Sequence, residues 1–370
     1  MNFRRLFLSF TTALGMHVAL LAAEPAGQIV TGPATCSTSG CHGGANEISR
    51  QFVIWSQRDV HSRSFATLTS ARSARMAEAL ELANPADHQT CTACHAPLHT
   101  VAPELRAADA QVEDGVACAS CHGAGDAWLL GHTRPDWTHA ERVAAGMTEV
   151  RHLYGRANSC VACHQNIDPR LIKVGKHPAL IFELDGQTAS EPRHWRESPA
   201  AHGAQAWFVG QAVALREMSA ALQHGSCDPD TEGPRWAGLL WLLQRCELGS
   251  DILPPTTIAD HASVLEASDR AARHAADLAW THDITQTLLH KLAATHSAFL
   301  ETNTGRMQQA RRAERLVLAL DRLLASLPAA ARPAAASAAL NALFQLAQSA
   351  PSFAPADFAR ELAAFEHALN

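Results

Sequence analysis

The sequence predicts a mainly α protein in two unlike parts: a front part of short helices and long loops, followed by an α-helical bundle. Three observations carry that expectation. Behind about Pro199, alanine and leucine dominate and apolar residues recur with a helical period. Ahead of it the chain is rich in Gly, Pro and polar turns, which break it into short runs. Eight of the ten cysteines fall in pairs within that front stretch, each pair followed at once by a histidine.

The chain opens MNFRRLFLSFTTALGMHVALLAAEPAG. Arg4 and Arg5 make a short basic start, Leu6 to Ala23 is an uncharged run, and small residues precede Glu24, the layout of a secretory signal peptide over 1–23. The run is nearly long enough to cross a bilayer. Gly15, His17, Thr11 and Thr12 weaken it as a permanent span, so membrane association is expected only if this segment stays uncleaved. The arginine pair ahead of Leu6, Phe7 and Leu8 also looks like a twin-arginine signal. Either route leads to the periplasm.

The formal charge is −6, and loss of Arg4 and Arg5 takes it to −6 − 2 = −8. That balance argues against nucleic acid as a partner and leaves room for a basic partner surface. A chain of 370 residues holds one large domain or two ordinary ones. Ten cysteines suit an exported chain, which uses them as cross-links or cofactor anchors.

The regular pairs are CTACH (Cys91, Cys94, His95), CASCH (Cys118, Cys121, His122) and CVACH (Cys160, Cys163, His164). C-x-x-C-H is the attachment signature of c-type haem. Residues i, i+3 and i+4 share a helix face, so both thiols meet the vinyl groups while the histidine reaches iron from the same side. Zinc is the competing reading, because two Cys-x-x-Cys pairs make a four-thiolate knuckle. Zinc does not ask for a histidine after every second cysteine. The stretch TCSTSGCHGG repeats the same ending with two more residues between Cys36 and Cys41, followed by His42. A disulfide is its alternative, but its company points to a fourth attachment site. The expectation is four covalently bound haem c groups with His42, His95, His122 and His164 as proximal ligands. Covalent haem is added after export, which weighs against the twin-arginine route.

Eight further histidines lie between Glu24 and Pro199: His61, His88, His99, His132, His139, His152, His177 and His194. A second axial histidine makes a low-potential electron carrier, methionine raises the potential, and an empty position leaves room for a substrate. His88 and His99 flank the second motif too closely to reach round its own haem. His139 and His152 lie in polar helical sequence, where a solvated face is the default. Met76 and Met147 are expected to pack.

The phrases GVACASCHGAG, RANSCVACHQNIDP, GKHPALIFEL and PRHW resemble the multihaem cytochromes related to cytochrome c-554, tetrahaem electron carriers of ammonia-oxidising bacteria. WSQRDVHSRSF looks like that family's early distal-ligand region. The similarity runs from about Gly32 to Trp195. It implies His61, His132 and His177 as distal ligands, with His194 offered for the fourth iron, although one iron of the family's tetrahaem carrier is five-coordinate. It also implies redox partner proteins, such as a hydroxylamine-oxidising enzyme as electron donor.

The boundaries expected are 1–23 for the leader, 24–198 for a tetrahaem cytochrome c domain and 199–370 for a bundle of five to seven helices. In ERLVLALDRLLASLP, Leu316, Leu320, Leu323, Leu324 and Leu327 form one stripe that Pro328 stops; Phe358, Leu362, Phe365 and Leu369 form another. Cys227 and Cys246 are expected to form a disulfide closing SCDPDTEGPRW onto the following helix. Asp228, Asp230 and Glu232 read as a solvated acidic turn rather than a calcium site. His274, His282 and His290 recur every eight residues, which on a helix carries each off the last one's face, so they make no metal stripe.

The function expected is a periplasmic tetrahaem cytochrome carrying electrons between redox partners. Its alternative is a small multihaem oxidoreductase acting on nitrite, nitric oxide or hydroxylamine at a five-coordinate haem. No C-x-x-C-K motif is present, and Tyr154 is the chain's one tyrosine. Both facts weigh against an enzyme. A binding or assembly role for the helical part is the third class.

Overall fold

The computed structural model describes residues 28–197, 203–248, 253 and 260–369. The leader expected over 1–23 lies outside them. Among the described residues the fold is all helix and loop, apart from one parallel bridge between Val30 and Arg106.

Among the described residues the front part holds ten short helices: α1 (Pro33–Cys36), α2 (Gln51–Arg58), α3 (Ser64–Leu68), α4 (Ala71–Ala79), α5 (Gln89–His95), α6 (Cys118–His122), α7 (His139–Ala144), α8 (Leu153–His164), α9 (Pro169–Lys173) and α10 (Leu184–Ser190). Capping explains where several of them begin. The Ser70 side chain caps α4, Thr138 and Glu141 form a capping box on α7, and Asp168 caps α9 ahead of Pro169. Helices this short are marginal alone. The apolar residues this part buries, Leu68, Ala77, Leu80, Trp128 and Leu171 among them, are scattered rather than gathered into a core.

The rear part holds α11 (Gly203–His224), α12 (Pro229–Cys246), α13 (His261–Asp277), α14 (His282–Ala293), α15 (Arg306–Ser326), α16 (Ala334–Ala347) and α17 (Pro355–Ala368). These seven fall within the expected five to seven. Helix α11 buries 14 of its 22 residues, the signature of a helix enclosed on nearly every side. It packs against α8, α10, α12, α13 and α15. Gly210 lets α10 approach, since a Cβ there would sit 2.7 Å from the Leu184 Cβ. Both apolar stripes read from the sequence face inward: Leu316, Leu320 and Leu323 are fully buried, as are Phe358, Leu362 and Phe365.

The core does not stop at the compositional boundary. Ala157 and Val161 of α8, with Phe182 and Leu184 of the following segment, belong to the same apolar cluster as the bundle. Polar contacts reinforce the seam. Arg216 of α11 donates to Asp269 of α13 at 2.7 Å and to the Asn158 side chain of α8 at 2.5 Å, while the Tyr154 hydroxyl donates to Asp269 at 2.5 Å.

The expected Cys227–Cys246 disulfide is absent, and both thiols are free. The segment DPDTEGP is not a loop but the opening turns of α12, with Pro229 in the first turn and Pro234 inside the helix. Cys227 therefore lies ahead of the helix and Cys246 at its far end. Eighteen residues at ~1.5 Å each put them about 27 Å apart, far beyond disulfide reach. Two of the three acidic residues at this helix start are paired with cations, Asp228 with Lys173 at 2.8 Å and Glu232 with Arg235 at 2.8 Å.

Candidate cofactor site

The three regular motifs sit on helical turns, as their spacing requires. CTACH forms most of α5, CASCH is the whole of α6, and CVACH ends α8. The lengthened motif reaches a similar result by other means. Cys36 ends α1, Cys41 N–H closes a turn on Thr38 C=O at 2.9 Å, and His42 N–H donates to Cys36 C=O at 3.1 Å. The two added residues are absorbed in that turn. Gly43 is needed behind it, because a Cβ there would fall 1.7 Å from the Ser37 carbonyl oxygen.

Around these turns the imidazoles assemble in facing pairs. The His42 and His132 ring centroids lie 6.1 Å apart and nearly parallel, at 16°. His61 and His164 lie opposite one another at 6.1 Å with their rings nearly perpendicular, at 88°, and His95 and His177 at 6.5 Å and 64°. His95 and His164 are both pushed below the usual imidazole range, by burial first and by the facing histidine second. His122 is pushed down to about 4 by burial first and then by the nearby His194, His42 and His132.

Hydrogen bonds leave the same nitrogen free in four of these rings. Nδ1 of His42 donates to Gln51 Oε1 at 3.1 Å, that of His61 to Asp59 at 3.0 Å, and that of His177 to the Pro178 carbonyl at 2.8 Å. Nδ1 of His132 donates to the Leu129 carbonyl. A carbonyl or carboxylate oxygen only accepts, so Nδ1 carries the proton and Nε2 keeps its lone pair. The backbone around His61 is itself fixed by Asp59, whose carboxylate also accepts from His61 N–H at 2.9 Å.

The set-aside histidines behave differently. His88 caps α5, its Nδ1 accepting from Thr90 N–H at 3.3 Å. His139 spends Nε2 on Glu149, and His152 spends Nε2 on Asp277 at 2.9 Å. Tyr154, held by Asp269 and Arg216, is committed to the bundle seam.

Burial pushes the Cys121 thiol up to about 12, with Cys160, Glu191 and Asp59 adding to the push. The Cys118 thiol lies near enough to pull that of Cys36 down to about 7, and Cys163 likewise lowers Cys94. Together with the proximity of Cys121 to Cys160, these contacts make the attachment turns neighbours in the order first, third, fourth, second.

Sequence reasoning did not supply the pairing, nor the acidic pair behind it. Asp59, Glu191 and His61 place one ligand-type atom each within 4.8 Å of one another, and Asp59 is 2% exposed. The signal for Asp59 was present in RDVH, an aspartate two residues ahead of a histidine.

Among known protein families, the model described as cytochrome c554 and c-prime matches residues 35–123. No curated protein and no solved structure matches the chain. The matched range takes in the first three attachment motifs and leaves the fourth, at the end of α8, beyond it. Members of this family bind c-type haems and serve as multihaem electron carriers. The front part of the chain, residues 35–123, is a domain of the cytochrome c554 and c-prime family.

Proposed function

We propose that the chain is a periplasmic tetrahaem c-type cytochrome that passes electrons between two redox partner proteins. The observation that carries the reading is the set of facing imidazoles. Two rings that each give one nitrogen to a shared metal at ~2.0–2.1 Å hold their centres roughly 6 Å apart, and three pairs have separations of 6.1, 6.1 and 6.5 Å. The residues present thus fit the group. His42 and His132 would hold the first haem, His95 and His177 the second, His61 and His164 the fourth. His122, with His194 as its partner, would hold the third.

Each bound haem supplies a one-electron Fe(III)/Fe(II) couple, held at low potential by two histidines. The chain's own residues do the rest. Cys36, Cys41, Cys91, Cys94, Cys118, Cys121, Cys160 and Cys163 anchor the macrocycles. Gln51, Asp59 and the Leu129 and Pro178 carbonyls fix the tautomer and ring plane of four ligands. The sequence of neighbouring attachment turns brings the ends of the relay to the first and second motifs. On the α8 side, the bundle shields the fourth motif from water.

One observation favours the oxidoreductase reading at a single place. His194 Nδ1 is buried without a hydrogen-bond partner, so His194 lacks the tether that holds His61, His132 and His177. An iron open at the third motif would suit nitrite, nitric oxide or hydroxylamine. Electron paramagnetic resonance of the oxidised holoprotein separates the two. The carrier reading expects four low-spin ferric signals; a high-spin signal from one iron in four would replace it with the oxidoreductase.

A further inference from the structure

Within the bundle, α12 and α15 hold an unusual group of donors. Gly238 lets the two helices close up, since a Cβ there would lie 3.0 Å from the Arg311 backbone. One turn further on, the Arg245 guanidinium carbon stands 4.1 Å from the centre of the Trp241 ring, and that of Arg312 stands 5.3 Å from the same centre. Two cations thus crowd one indole, and Arg245 is pushed down to about 10, by burial first and by Arg312 second, against a weaker pull from Glu301. The neighbouring charges are otherwise spoken for. Arg311 is held by Glu314 at 2.6 Å, and Glu247 by Lys291 at 2.6 Å.

Among the described residues Glu301 is the one carboxylate that reaches the pair, accepting from Arg312 Nη1 at 3.3 Å, and its side chain is 44% exposed. Arg245 spends one nitrogen on the Trp241 carbonyl at 3.1 Å and has no ion pair among the described residues. Two donors are left over. Trp241 is 2% exposed and its indole N–H is buried without an acceptor; Arg312 is 8% exposed and its Nε–H is likewise without one. Buried donors of this kind are rare in native proteins and call for a ligand, ion or water. Two guanidiniums stacked on an indole whose N–H lacks a partner suit an acceptor that carries negative charge on several oxygens.

We propose that Arg245, Arg312 and Trp241 form a binding site for a small oxyanion, of phosphate or carboxylate chemistry, between α12 and α15. The anion neutralises the surplus positive charge and accepts the orphaned N–H groups. Its way in lies past Arg245 and Glu301, the partly exposed members of the group. The site is independent of the haem assignments, and its failure would leave them untouched.

Calorimetric melting and titration of the full holoprotein test it, with inorganic phosphate and then acetate as probes and chloride holding ionic strength constant. A ligand that binds only the folded state raises the melting temperature in a saturable way, and at least one probe should do so. Arg245→Gln should weaken that binding at least tenfold. Trp241→Phe, which keeps the ring and removes only the N–H, should weaken it several-fold with haem content unchanged. A wild-type protein that responds to neither probe beyond chloride overturns the proposal. So does binding that both variants retain undiminished.

Discussion

In the proposed tetrahaem reading, Asp59 is the residue that fixes the geometry of one iron ligand, His61. It is buried, and its carboxylate holds both the backbone N–H and Nδ1 of His61. A carboxylate on the far side of an imidazole makes the ring a stronger electron donor, which favours ferric iron. Asp59→Asn keeps an acceptor and removes the charge. It should raise the midpoint potential of one haem in four, on the order of tens of millivolts, while haem content and spin state stay as they were. A redox titration in which all four midpoints are unmoved would contradict the role given to Asp59.

Glu183 is a residue-scale case of the opposite kind. Its carboxyl is pushed up to about 7 by burial, then by Asp185, against the pull of Arg315 and Arg322 from α15. Gln211 of α11 donates to it at 3.3 Å. A folded-state value above the ordinary 4.5 means the group's contribution to stability is full below pH 4.5 and is lost as pH rises toward 7. Glu183→Gln should therefore match the wild type near pH 4.5 and exceed it at pH 8 by about 1–3 kcal/mol. Denaturant melts at the two pH values read this directly, and a difference that does not grow with pH would refute it.

At the scale of elements, α8 does two jobs. Its last turn carries the fourth attachment motif, and its buried face, Ala157 and Val161, joins the bundle core. Tyr154 at its start is bound to Asp269, with Arg273 stacked 4.1 Å from the ring centre. A tyrosine so engaged is structural. Tyr154→Phe should cost about 1–2 kcal/mol of stability and leave the haem spectrum unchanged. A spectral change with stability intact would instead mark it as part of the haem environment.

Elements also show what was legible in the chain. The attachment turns could be read because their residues are neighbours on one helix face, and the bundle because its apolar stripes repeat within single helices. His132 facing His42, or His61 facing His164, depends on how loops cross in space, which no local period encodes. The family resemblance led to His61, His132, His177 and His194 as a set, without partners. The opening of α12 was misjudged because DPDTEGP has the composition of a turn, yet proline is tolerated in a helix's first turn and acidic side chains favour its N-terminus.

At the scale of the whole molecule, the two parts solve stability differently. The bundle buries Trp207, Phe208, Leu239 and Phe299 in a conventional core. Among its described residues the front part, with scattered buried side chains and very short helices, shows no comparable core, and in the proposed reading four macrocycles fill that place. Among the described residues no helix is long and apolar enough to cross a membrane.

That reading stands or falls on covalent attachment. Acidic acetone extraction of the denatured protein, followed by intact mass, tests it most directly. The account predicts that the colour stays with the polypeptide and that the mass exceeds the chain's by four haems, Cys36 and Cys41 carrying one of them. A mass short of four, or colour that leaves with the solvent, would contradict it.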